Sequence, residues 1–154
     1  MNRITKLIAL SFMIATTSYA KGKYENSIFS IDSLINESKI ANTQPLIMLL
    51  PASEGFAPNI NIQIQKYPDS LDDYAKLSTS QFKQLKFKII KNEKINGALI
   101  FEYSGTMQGR ELHWYSMAYK KGDNVFLITA TSTESQWKTQ KEKLIGCVKS
   151  FKLK

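Results

Sequence analysis

The sequence of 154 residues has one cysteine and one histidine, and each scarcity narrows the classes of protein to consider. Cys147 cannot form a disulfide within the chain, so the fold must be stabilised by its hydrophobic core. It lies in an apolar stretch, which favours a buried side chain over an exposed thiol that forms an intermolecular bond. The single histidine, His113, has no nearby set of ligand or nucleophile residues, so neither a metal site nor a catalytic triad is predicted around it.

Other catalytic signatures are also missing from the sequence. Gly105 and Gly109 are typical of turns and are followed by no P-loop lysine, so no phosphate-binding loop is predicted. No serine lies in a nucleophile-elbow motif. The carboxylates of Asp69, Asp72 and Asp73 cluster at the predicted start of a helix, where negative charge is stabilised by the helix dipole. We therefore predict that the protein is not an enzyme and that it has no cofactor and no metal site.

The first twenty residues differ from the remainder of the chain. Two basic residues precede an apolar run over residues 7–15, which is too short to span a bilayer as a helix. Small residues precede Lys21, as at a signal-peptidase cleavage site. The pattern predicts a secretory signal peptide that is cleaved between Ala20 and Lys21. The alternative is an uncleaved anchor or a buried helix. Removing the signal peptide lowers the formal net charge from +8 to +6. We expect residues 21–154 to form one soluble domain in the periplasm, or secreted, without a transmembrane segment.

The periodicity of this domain predicts two helices among several strands. Residues 59–67 alternate isoleucines with amides, which is typical of a strand with one buried face. A helix over residues 70–85 follows, and Ser70 begins it as part of a capping box. A second helix is predicted to start near Thr133 with its own capping box, and its apolar spacing places Trp137 against the sheet.

The segments between and around the helices are predicted to be strands. Asn96-Gly97 and residues 105–109 are predicted turns, and residues 32–43 fit either a short helix or a loop. A run over residues 46–50 has the length of a strand buried on both faces. Strands separated by short turns form an antiparallel meander, so the fold class is α+β, with an antiparallel β-sheet and helices packed on it. The predicted strands cover residues 28–31, 46–50, 59–67, 98–104, 112–119, 125–130 and 150–153, and a further strand contains Phe87, Ile89 and Ile90 among the lysines from Lys86 to Lys94.

The order of these elements resembles the Mog/PsbP-like superfamily, in particular its small secreted bacterial members of unassigned role. The resemblance implies an α/β/α sandwich around an antiparallel sheet. It also implies non-enzymatic roles, since relatives bind a small GTPase, lie on the lumenal face of photosystem II or act in the bacterial envelope. No catalytic residues accompany the resemblance. The matching stretches are Phe56–Ile62, residues 70–85, Ala98–Tyr103, Leu112–Tyr115, Val125–Ala130, Trp137 and Ser150–Lys152.

A run of lysines is the feature that points most directly to a partner. Lysines on a strand edge discourage aggregation, and they can equally form a docking surface for an acidic protein or for anionic lipid headgroups. Lys86 and Lys88 are predicted to share a strand face. Nucleic acid is not expected, because the sequence has no stacking motif such as an RRM. The candidate partner-binding residues are Lys86, Lys88, Lys91 and Lys94.

Two functions of different classes follow from these patterns. The first is an exported, soluble, non-enzymatic accessory or interaction module of the bacterial cell envelope, with a protein or an anionic envelope surface as its partner. The alternative is a binder of a small or lipid-like ligand in a cleft between sheet and helix. Tyr103, Trp114, Tyr115 and Tyr119 could line such a pocket, although aromatic residues at this spacing are more often part of the core.

Overall fold

The structure, a computed structural model, describes residues 19–20, 22–34, 38–41 and 46–154. Within these residues the chain forms two helices, α1 (Leu71–Gln84) and α2 (Glu134–Lys149). The strands are β1 (Tyr19–Ala20), β2 (Lys23–Glu25), β3 (Phe29–Asp32), β4 (Ser38–Ala41), β5 (Leu46–Leu49), β6 (Asn59–Lys66), β7 (Lys88–Ile95), β8 (Ala98–Met107), β9 (Arg110–Lys121), β10 (Asn124–Thr133) and β11 (Lys152–Leu153).

The strands form two antiparallel sheets. The larger sheet has the order β1-β4-β5-β6-β10-β9-β8-β7, and the smaller has the order β11-β3-β2. Strands β7 to β10 are consecutive neighbours, so the predicted meander is confirmed. The predicted Asn96-Gly97 turn is confirmed as well, since both residues have positive φ, 50° and 78°. The order leaves β7 as an outer strand of the larger sheet.

The alternation of side chains along β9 shows which helix covers each side of the larger sheet. Leu112, Trp114 and Ala118 point to the side where the apolar residues of α1 pack. Tyr115 and Met117 point to the opposite side, which is covered by α2 and the smaller sheet. Three layers result, with α1 on one side, the larger sheet in the middle, and α2 with the smaller sheet on the other. The predicted α+β fold, an α/β/α sandwich, is therefore confirmed.

Both helices begin at the predicted capping residues. The Ser70 hydroxyl accepts a hydrogen bond from the backbone N–H of Asp73, at 3.0 Å. Thr133 and Gln136 form a full capping box at the start of α2. Trp137, one turn into α2, is buried with 6% of its surface exposed. The predicted packing of Trp137 against the sheet is thus confirmed.

The predicted turn over residues 105–109 is wrong at its first residues. Strand β8 continues to Met107, and the turn is made by Gln108 and Gly109, both with positive φ. Gly105 lies inside the strand, where a Cβ atom would stand 2.4 Å from Cδ1 of Phe87. The glycine is therefore needed because an aromatic ring packs directly on the backbone of β8, and not because the chain turns there.

Two predictions for the first half of the domain also need correction. Ser38–Ala41 form strand β4, where the sequence fits a helix or a loop, because pairing with β1 and β5 supplies hydrogen bonds that its short pattern does not reveal. In β5, Leu46 and Met48 are buried, but Ile47 and Leu49 are only half-buried. The strand is thus fully covered on one face rather than on both, since α1 packs towards the β7 end of the sheet.

The predicted signal peptide falls almost wholly on residues that the structure does not describe. Residues 1–18 and Lys21 lie outside the described residues, and Tyr19 and Ala20 form β1. Cleavage between Ala20 and Lys21 therefore stays a prediction. Among the described residues, neither helix has the length and apolar character that crossing a membrane requires.

Candidate functional site

A short exposed turn joins α1 to the outer strand β7. The turn is closed by hydrogen bonds from the N–H of Lys86 to the carbonyl of Lys83, 3.0 Å, and from the N–H of Phe87 to the carbonyl of Phe82, 2.8 Å. Lys86 adopts the left-handed conformation, with φ of 58°. Phe87 is buried on the backbone of Gly105 and stacks on aromatic rings of the sheet. One buried ring thus fixes an otherwise exposed turn to the sheet.

The candidate lysines do not form a single stripe. Lys86 lies in the turn before β7, so its predicted strand face shared with Lys88 is wrong. The pairing register places Lys88 and Lys91 on the α2 side of the sheet and Lys94 on the α1 side. A bulge between Ile89 and Lys91 produces this division, because it shifts the register by one residue.

The lysines also differ in their ion pairs. Nζ of Lys94 lies 2.8 Å from Oδ1 of Asp72 on α1, and Nζ of Lys91 lies 3.8 Å from Oε2 of Glu93. Two of the four candidate lysines are thus paired with carboxylates of the protein itself. The lysines of this region that form no ion pair within the described part of the chain are Lys83, Lys86 and Lys88.

Two exposed aliphatic side chains lie close to these unpaired lysines in the sequence. Leu85 is 44% exposed and Ile90 is 47% exposed, although both are large apolar residues. We call this segment the α1–β7 corner. It spans residues 83–90, and its exposed lysines and aliphatic residues are Lys83, Leu85, Lys86, Lys88 and Ile90.

The surroundings of His113 were missed by sequence reasoning. Its Nε2 atom lies 2.9 Å from Oε1 of Glu102 on β8, and its Nδ1 atom lies 3.1 Å from Oε1 of Glu134 on α2. The ring is buried and stacks on the indole of Trp137, with 4.1 Å between ring centroids. The contacts depend on the register of β8 with β9 and on where α2 begins, so no local pattern identifies them.

The geometry around His113 favours a structural joint over a catalytic base. Each of the two contacts is a hydrogen bond only if one of its two groups donates a proton. Either both ring nitrogens donate to carboxylates, or one ring nitrogen donates and the other accepts from a protonated carboxyl group. Neither ring nitrogen is then available to a substrate or a metal. Within the described residues, no group of three or more histidines, cysteines or acidic residues is arranged to hold a metal ion. The joint connects β8, β9 and α2.

A second polar cluster lies on the α1 side of the larger sheet. Nε1 of Trp114, Oγ1 of Thr131 and Oδ1 of Asn61 are buried and have no hydrogen-bond partner among the described residues. Trp114 lies opposite Thr131, and Asn61 lies opposite Thr129 in the next pair along the same face. By contrast, the Thr129 hydroxyl lies 3.0 Å from that of Ser116 and is hydrogen-bonded. We call Asn61, Trp114 and Thr131 the polar patch.

The four aromatic residues considered for a pocket are divided between the two sides of the sheet. Tyr103 and Trp114 point to the α1 side, with 5.1 Å between ring centroids, and Tyr115 and Tyr119 point to the α2 side. Burial raises the pKa of Tyr103 to about 12. The four rings therefore do not line one pocket, and they belong to the core of each side.

Cys147 has the environment expected of a buried cysteine. It lies on α2 with 6% of its surface exposed, and its thiol donates a hydrogen bond to the carbonyl of Asp32, at 3.1 Å. Burial raises the pKa of the Cys147 thiol to about 12, with a smaller contribution from the charge of Asp32. The prediction of a buried side chain is confirmed.

Solved structures share this architecture at low sequence identity. No protein-family model and no curated protein matches the chain. Cyanobacterial PsbP (CyanoP) from Synechocystis superposes with a TM-score of 0.64 at 11% identity, covering 94% of this chain and 99% of that chain. The fold is PsbP-like. The resemblance noted in the sequence is thereby confirmed at the level of fold.

Two further structures have the same PsbP-like architecture. LpqN of Mycobacterium tuberculosis, which is involved in cell envelope biogenesis, has a TM-score of 0.55 at 14% identity and covers 81% of this chain and 82% of that chain. The protein PA94 of Pseudomonas aeruginosa, of unknown function, has a TM-score of 0.56 at 18% identity and covers 80% and 90%. At these identities the likeness concerns the fold alone, so function must be argued from the residues of this chain.

Proposed function

We propose that the protein is an exported, soluble, non-enzymatic accessory module of the bacterial cell envelope that docks on an acidic partner through the α1–β7 corner. The observation that carries this proposal is the set of three lysines without ion pairs on one short exposed segment. Lysines that are not neutralised within the protein attract an acidic surface without first breaking an ion pair.

Three further observations support an interaction module. The signal peptide predicted from residues 1–20 would deliver the domain to the envelope. LpqN, with a similar fold, is involved in cell envelope biogenesis. His113, the one side chain suited to acid–base chemistry near neutral pH, has both ring nitrogens within hydrogen-bonding distance of carboxylates and is buried.

Crosslinking in living cells tests the proposal. A tagged full-length protein is crosslinked, and what it captures in the envelope is compared with the capture by Lys86→Glu/Lys88→Glu. A matched control, Lys138→Glu/Lys141→Glu, changes two exposed lysines of α2 and alters the net charge equally. We expect a specific envelope component with the wild type and the control but not with the corner variant. Recovery of the tagged protein from all three with neither crosslinked protein nor crosslinked lipid would contradict the proposal.

A second candidate function is supported by the polar patch. Buried polar atoms are usually hydrogen-bonded, so three unpaired ones at adjacent positions favour a small polar molecule on the α1 side of the sheet. The ligand would have to accept a hydrogen bond from the Trp114 indole and donate one to Asn61. Native mass spectrometry of the purified protein tests this. An added mass that Thr131→Val removes supports the candidate, and the bare protein mass contradicts it.

A further inference from the structure

The distribution of charge along β7 narrows the partner of the α1–β7 corner, an inference that rests on the proposed docking function. The second half of the strand is largely neutralised, because Lys91 pairs with Glu93 and Lys94 pairs with Asp72. The unpaired lysines of the α1–β7 corner all precede residue 89. The electrostatic attraction is therefore centred on the turn and the first residue of β7, and not on the whole strand edge.

The backbone of β7 is poorly suited to receiving an added strand at this position. An acidic peptide that paired with the free edge would need an uninterrupted row of outward N–H and C=O groups. The bulge between Ile89 and Lys91 interrupts that row directly after the unpaired lysines. The observations therefore favour a partner that contacts side chains of the corner and needs no regular strand edge.

The exposed aliphatic side chains identify such a partner. Leu85 lies between Lys83 and Lys86, and Ile90 follows Lys88, so exposed apolar and cationic side chains are interspersed over eight residues. Aliphatic groups enter the boundary between lipid headgroups and acyl chains, while neighbouring lysines contact lipid phosphates. We propose that the α1–β7 corner binds the surface of a membrane that contains anionic lipids.

The way in which the α1–β7 corner is fixed to the sheet supports a membrane surface as its partner. Phe87 anchors the middle of the segment on Gly105, and the backbone hydrogen bonds of the turn hold Lys86 in place. The apolar side chains at positions 85 and 90 therefore reach the membrane without a prior folding step, which lowers the entropic cost of binding. The positive net charge of residues 21–154 adds a longer-range attraction to the same surface.

Vesicle cosedimentation tests the assignment. The protein, in the form recovered from producing cells, is mixed with vesicles of phosphatidylcholine alone or with an equal mixture of phosphatidylcholine and phosphatidylglycerol. We expect binding only to the mixed vesicles, weakened by salt and reduced about tenfold or more in Lys86→Glu/Lys88→Glu. Leu85→Ser/Ile90→Ser should weaken binding while keeping its salt dependence. Lys138→Glu/Lys141→Glu should bind as the wild type does.

Two results would overturn the inference. One is equal binding to both kinds of vesicle, or an equal loss in the corner and α2 variants, which would mean that net charge alone is responsible. The other is the absence of vesicle binding together with lysine-dependent capture of an acidic protein in cells. The second result rejects the membrane as partner but leaves the proposed docking function standing. Because the substituted residues are all exposed, thermal unfolding at the wild-type temperature will show that each variant is folded.

Discussion

The buried polar groups on the two sides of the larger sheet differ in whether they have hydrogen-bond partners. On the α2 side, His113 lies between two carboxylates and its ring stacks on Trp137. On the α1 side, the three atoms of the polar patch have no partner among the described residues, and the α1–β7 corner exposes aliphatic side chains. On the α2 side, the buried histidine thus has partners for both ring nitrogens, whereas the polar patch lies on the α1 side and the α1–β7 corner lies at the outer edge of the sheet.

The largest expected effect tests whether the α2 side is a closed structural core. Trp137→Ala removes a buried ring that stacks on His113, so the free energy of unfolding should fall by about 3–5 kcal/mol. Denaturant unfolding measures the change. A stability close to that of the wild type would mean that burial of Trp137 does not stabilise the core on the α2 side.

The next prediction concerns the carboxylates around His113. His113→Phe keeps a ring against Trp137 but leaves Glu102 without its partner, so stability should fall by about 2 kcal/mol. Adding Glu102→Gln should restore part of the loss, because the unpaired charge is then removed. A double-mutant cycle measures the coupling between the two residues. Strictly additive effects of the two substitutions on stability would show that His113 and Glu102 do not interact.

A smaller effect of opposite sign is expected on the α1 side. Thr131→Val removes a buried hydroxyl without a partner and should raise stability by about 1 kcal/mol. Thr129→Val is the matched control in the same strand, and it should lower stability by about 1 kcal/mol because its hydroxyl is hydrogen-bonded to Ser116. Loss of stability in both variants would show that a bound molecule satisfies the polar patch.

At neutral pH the smallest effect is that of Cys147, whose pH dependence appears only in alkaline solution. Its folded pKa of about 12 exceeds the ordinary value of 9.0, so the unfolded chain loses the thiol proton first. Stability from this source is complete below pH 9.0 and falls as the pH rises towards 12. Reaction with a thiol reagent should accordingly be slow in the folded protein near neutral pH and fast in denaturant. Rapid labelling without denaturant would place the thiol at the surface.

Local patterns in the sequence were sufficient to predict most of the fold. The alternation of β6, the capping residues Ser70 and Thr133 and the Asn96-Gly97 turn each act within a few residues of the chain. Strand β4 lacked such a signal, because its four residues form a strand through pairing with β1 and β5 and show no clear alternation of their own.

The candidate site could be predicted only in part. The lysine run indicated the region, but the neutralisation of Lys94 depends on Asp72, which a separate helix brings to it. The joint at His113 likewise depends on the register of β8 with β9 and on the start of α2. Exposure of Leu85 was not predicted either, since residue 85 is a large apolar residue inside the helix predicted over residues 70–85. Each of these features is created by tertiary packing.

Site-specific photocrosslinking in cells tests most directly whether the α1–β7 corner is the docking surface. A photoreactive amino acid replaces Leu85 on the corner or, as the control, Lys138 on the exposed surface of α2. If the corner is the docking surface, the probe at position 85 will capture lipid or a specific envelope component, whereas the probe at position 138 will capture neither. Capture from position 138 with none from position 85 would contradict it.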